Sequence, residues 1–78
     1  MKVSISIIER WNKAQDLASE YLESGDLNTL AEYNDVMMAL ALEESISGIK
    51  FERSEAQKRA SSHFIHFKGL LEKMGYQI

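Results

Sequence analysis

The chain has 78 residues, nine Lys and Arg against twelve Asp and Glu, a formal net charge of −3, no proline and no cysteine. These numbers leave room for one small domain, exclude a disulfide framework and any thiolate metal site, and place no backbone bar on helix. The longest apolar run, Val36–Leu42, covers seven residues, far short of the ~20 that a membrane-spanning helix needs.

The N-terminus lacks the apolar core of a secretory signal, so the expectation is a cytoplasmic protein with no membrane contact. Charge is divided along the chain. Residues 1–48 hold three basic side chains against nine acidic ones, and residues 49–78 hold six against three. A chain this short buries only about 60% of its unfolded surface. With no disulfide and no evident metal, association is the remaining source of extra stability, and a homodimer is expected.

Chain order gives three helices. Ser6-Ile7-Ile8-Glu9 has the form of a capping box, and Ile7, Trp11, Ala14, Ala18, Tyr21 and Leu22 then recur on one face. The first helix is predicted over residues 6–23, preceded by an extended arm containing Val3 and Ile5. Gly25 punctuates its end. Asp26 is a candidate cap for a second helix over about 27–45. That helix has a broad apolar face containing Leu30, Ala31, Tyr33, Met37, Met38, Leu40, Ala41 and Leu42. Its width exceeds the stripe of roughly 100° that a surface helix needs, which predicts packing against two neighbours. Residues 46–53 read as an ordered connection. Ser54-Glu55-Ala56-Gln57 is a second capping-box sequence. It opens a helix over 54–74 whose seam is Ala56, Ala60, Phe64, Phe67, Leu71 and Met74. Gly75 and Tyr76 suit a Schellman stop. The expected fold is all-α, a small antiparallel three-helix bundle, with a helical hairpin completing its core by dimerisation as the alternative.

Few side chains suggest chemistry. His63 and His66 sit three apart, but two ligands do not make a metal site. His63 reads as a core residue beside Ala60 and Phe67, and His66 as its flank. There is no glycine-rich phosphate loop and no GxSxG, and nothing in the spacing of serine, histidine and acid marks a triad, so neither an enzyme nor a cofactor is expected. Surfaces carry more information. Asn34 lies among apolar neighbours, either as a register device of the coiled-coil kind or as a local hydrogen bond, and pairing with His63 is one way to satisfy it. Met37 and Met38 suit a core or an adaptable binding surface. Ile65 points away from the third helix's seam and Val36 lies behind the second.

The expected partner or dimer interface therefore contains Asn34, Val36, Met37, Met38, Leu40 and Ile65. A charged docking face is expected from Asp16 and Glu20 on the first helix and from Lys58, Arg59, His66 and Lys73 on the third. The functional expectation is a non-catalytic helical interaction module: an adaptor, regulator or inhibitor of a larger protein. Two alternatives follow from the charges. The basic side of the third helix suits a small nucleic-acid-associated regulator, and the acidic stripe of the first suits a blocker of a nucleic-acid-processing enzyme.

Overall fold

A computed structural model describes residues 5–76 as three helices, α1 (Ile5–Ser24), α2 (Leu27–Ser47) and α3 (Glu55–Lys73). The all-α three-helix bundle is the architecture observed, not a hairpin awaiting a second chain. α1 starts one residue earlier than its sequence suggests. Ser6 therefore lies within the helix, not at its cap, and Ile5 is helical; Val3 falls outside the described residues. α2 runs two residues further, to Ser47.

The helix ends follow from local chemistry. Asp26 accepts from the Asn28 backbone N–H at 2.9 Å and caps α2. Gly48 ends that helix at φ 73°, a left-handed conformation costly for a side chain with a Cβ, and its N–H returns to the Glu44 carbonyl at 2.9 Å. Ser54 opens α3 with a full capping box. Its hydroxyl accepts from the Gln57 N–H at 3.2 Å, and Gln57 Oε1 accepts from the Ser54 N–H at 3.0 Å. The far end of α3 is a Schellman motif, in which the Tyr76 N–H reaches the Leu71 carbonyl and the Gly75 N–H that of Glu72.

One core joins the helices. Ala14, Leu17, Ala18 and Tyr21 from α1 pack with Leu30, Ala31 and Tyr33 from α2 and with Ala60, Phe64 and Leu71 from α3. Leu30, Leu40 and Leu71 are fully enclosed, and each contributes about 1.5–3 kcal/mol of hydrophobic stabilisation. Cross-links fix the topology. Arg10 pairs with Glu43 at 3.0 Å, which sets α1 antiparallel to α2. Arg53 pairs with Glu44 at one end of α2, and Tyr76 bonds to Asn28 at the other, which sets α3 antiparallel to α2. α3 runs alongside α1, with Trp11 Nε1 donating to the Glu52 carbonyl at 2.9 Å and Tyr21 meeting His63 further along.

Candidate functional site

Polar groups in the interior come first, because they decide whether the fold hides chemistry. Gln57 is completely buried. Its Nε2 donates to the Trp11 carbonyl at 3.2 Å while its Oε1 serves the α3 cap. The buried Tyr33 hydroxyl donates to the Gln57 carbonyl at 2.7 Å and meets Ser61 Oγ at 2.7 Å. Burial raises the Tyr33 phenol above its ordinary value, an effect opposed by Ser61 and by the Arg53 charge. Glu44, 7% exposed, accepts from Arg53 through both carboxylate oxygens, at 2.6 and 3.0 Å, and from the Phe51 N–H at 2.8 Å. Hydrogen bonding to Arg53 holds its carboxyl below the usual carboxylate range, against the effect of burial. Among the described residues, no buried side-chain nitrogen or oxygen lacks a partner. This network pins the connection between α2 and α3.

The clefts are shallow. A groove of about 390 Å³ between α1 and α2 is lined by Glu9, Arg10, Lys13, Asp35, Val36 and Ala39. A smaller apolar dimple of about 200 Å³ lies between Ile8, Trp11 and Phe51. Among the described residues, no group of three or more His, Asp or Glu is placed to hold a metal ion. No described helix is long and apolar enough to cross a membrane.

The outer surface departs from what a self-contained bundle requires. On α2, Met38 is 61% exposed, Leu42 62% and Ile46 76%. They recur at four-residue steps, so they form one stripe along the helix. Two observations place this stripe. Val36 and Ala39 line the groove with α1, which fixes one edge of α2. Ala41 and Ser45 line a hollow with Ile49, Lys50 and Arg53, which fixes the opposite edge on the α3 side. Met38 and Leu42 therefore lie between these edges, on the side of α2 turned away from the core. The same side of the helix is covered nearer its start. Ala31 is buried and Leu27 partly so, and the C-terminal end of α3 reaches Asn28 through Tyr76. The cover gives out after the first two turns. On α3, Ser61 borders α2 through Tyr33. One turn on, Ile65 is 77% exposed. Because α3 runs antiparallel to α2, Ile65 lies level with the first turns of α2, away from Met38 and Leu42 along the bundle.

This placement sorts the sequence-derived residues. Met38 and Ile65 stand in the open. Leu40 does not: at 0% exposure it belongs to the protomer's own core and is withdrawn from any interface. It lies two residues from Leu42, on the opposite side of the helix. Val36 and Met37 are partly buried against the core, so Val36 is not the outlying residue its wheel position suggests. Asn34 donates to Met38 Sδ at 3.4 Å within its own helix, and His63 is occupied elsewhere, its Nδ1 lying 2.9 Å from the Tyr21 hydroxyl. The expected Asn34–His63 pair is absent. His63 is an exposed residue at the α1 edge, not a core histidine, because the α3 seam turns Ala60 and Phe64 inward and leaves the ring at its rim. Asp16, Glu20, Lys58, Arg59, His66 and Lys73 are all exposed, the acids on α1 and the bases on α3. Leu42 and Ile46 complete the stripe and were not singled out from the sequence; their four-residue spacing with Met38 is the signal that marks them.

Comparison with known proteins gives no matching family, no related curated protein and no matching solved structure.

Proposed function

We propose that this chain is a cytoplasmic, non-catalytic interaction module, an adaptor or regulator that packs an α-helical segment of another polypeptide against the exposed apolar stripe of α2. The observation that carries this reading is the Met38–Leu42–Ile46 stripe. Three large apolar side chains at regular spacing, each more than half exposed, give a continuous surface that water disfavours. A helix offering its own i, i+4 apolar row is the shape that fits such a stripe. Small neighbours at Ala41 and Ser45 let its backbone come close. The interior supports the same reading from the other side, since its buried polar groups are spent on one another and the clefts are open and shallow. A cytoplasmic setting suits a fold that relies on no disulfide.

The experiment is site-specific photo-crosslinking in the native host. A photoreactive amino acid in place of Leu42 is expected to give adducts of discrete mass. The same group in place of Glu23, an exposed residue on α1, is expected to give none. Equal labelling at both positions, or none at position 42, contradicts the reading.

A further inference from the structure

The charges beside the stripe give the chemistry of its occupant, and the inference rests on the docking reading above. We propose that the stripe receives an amphipathic helix of another polypeptide that carries Lys and Arg along one flank of its apolar row, the flank turned toward α1. The partner is then a helix with a one-sided basic edge, not any apolar helix.

Three features favour this occupant. The first is the charge of α2 itself. The helix carries four carboxylates, Glu32, Asp35, Glu43 and Glu44, and no Lys or Arg. Glu44 is turned inward to Arg53. Asp35 is exposed and precedes Leu42 by seven residues, two turns, so it stands on the face of the stripe itself. Val36 and Ala39 line the groove with α1. Glu32, four residues before Val36, and Glu43, four after Ala39, share that edge. The second feature is the α1 wall of the same groove. Glu9 and Lys13 line it, together with Arg10, which is already paired with Glu43. Asp16 and Glu20, three and seven residues beyond Lys13, continue its side of α1 and are exposed. The edge of the stripe toward α1 thus sets Glu9, Asp16, Glu20, Glu32, Asp35 and Glu43 against Arg10 and Lys13. The groove holds about 390 Å³, and its apolar wall of Val36 and Ala39 suits the methylene stem of a Lys or Arg whose charged head meets the carboxylates. The third feature is the opposite edge. There Ala41 and Ser45 adjoin Lys50, and the Glu44 carboxylate is spent on Arg53. A basic flank finds its counter-charge on the α1 edge alone, which fixes how the bound helix is turned. Such rim charges set orientation and partner choice.

Two synthetic helical peptides of about 18 residues, or five turns, test this occupant. They share one leucine row at helical spacing and differ on one flank, which carries lysine in the first and glutamate in the second. Each is titrated into the isotope-labelled whole chain and followed by amide NMR. The lysine peptide is expected to shift Met38, Leu42 and Ile46. It should bind about tenfold tighter than the glutamate peptide at about 50 mM salt, and the preference should shrink by about 200 mM. Asp35→Lys should remove the preference. Glu23→Lys, an equal change of net charge at an exposed position of α1, should leave it. The salt dependence is read on the parent chain and stands whether or not a variant folds. Equal binding of the two peptides, tighter binding of the glutamate peptide, binding of neither, or equal loss in Asp35→Lys and Glu23→Lys overturns the basic occupant. Those results leave the apolar stripe to its crosslinking test, and an absent adduct at position 42 overturns both. Shifts at Met38, Leu42 and Ile46 on diluting the chain alone give the stripe to a second copy and overturn the proposal as well.

Discussion

The two faces of α2 near its C-terminus invert the usual order of burial. Near its C-terminus the helix buries a carboxylate, Glu44, while two residues away it exposes Leu42 and Ile46. The inside is polar but complete. Each oxygen of Glu44 has a donor, and the neighbouring Gln57 and Tyr33 are equally provided for. The outside is apolar and unfinished. A satisfied polar group in a core costs little, because its hydrogen bonds to water are replaced. An exposed leucine has no such replacement. The contrast is between a polar face completed within the fold and an apolar face left open to water.

Substitutions should divide along the same line. The largest effect is expected at Leu40, the core neighbour of the stripe. Leu40→Ala should cost about 2–5 kcal/mol by thermal or denaturant unfolding, the range for an enclosed leucine replaced by a cavity. Gln57→Ala should follow at about 1–3 kcal/mol, because it removes the buried bond to the Trp11 carbonyl and one half of the α3 cap. Glu44→Gln should cost about 1.5–3 kcal/mol at neutral pH, the worth of hydrogen bonds to a charged group.

That last variant also carries a pH signature. The folded state holds the Glu44 carboxyl below its unfolded value, chiefly through Arg53. Its contribution is therefore complete above the ordinary carboxylate range and disappears as pH falls through the lowered folded value. The stability gap between the parent chain and Glu44→Gln should close on acidification. A gap constant from neutral to acid pH would show that the carboxylate's charge is not what pins the connection. The smallest effect on folding is expected for Leu42→Glu, within about 0.5 kcal/mol of the parent. A large loss of stability there would return Leu42 to the core and erase the contrast.

Much of this bundle was legible in the residues. The α3 seam from Ala56 to Leu71, its Ser54 capping box and its Gly75 stop depend on contacts within a few positions of the chain. Ile65 stood out for the same reason. Glu44 and Gln57 escaped notice because a carboxylate and an amide on an amphipathic helix ordinarily face water. What buries them is Arg53 across a turn and the Trp11 carbonyl 46 positions away. Only the Gln57 capping bond was local enough to be read. The broad apolar face of α2 held the opposite difficulty. Periodicity gives Leu40 and Leu42 equal standing, and tertiary packing decides between them, with Leu40 enclosed and Leu42 on the opposite, open side of the helix. Val36 was misjudged for the same reason, since the groove wall with α1 is a tertiary feature.

The central proposal is that the exposed Met38–Leu42–Ile46 stripe of α2 is a docking surface, and amide NMR spectra of the isotope-labelled chain recorded with and without native-host extract examine it residue by residue. The proposal predicts shifts or broadening at Met38, Leu42 and Ile46, with Glu9, Asp16 and Glu20 on α1 unmoved. Spectra that the extract leaves unchanged, or changes gathered on α1 instead, would contradict it.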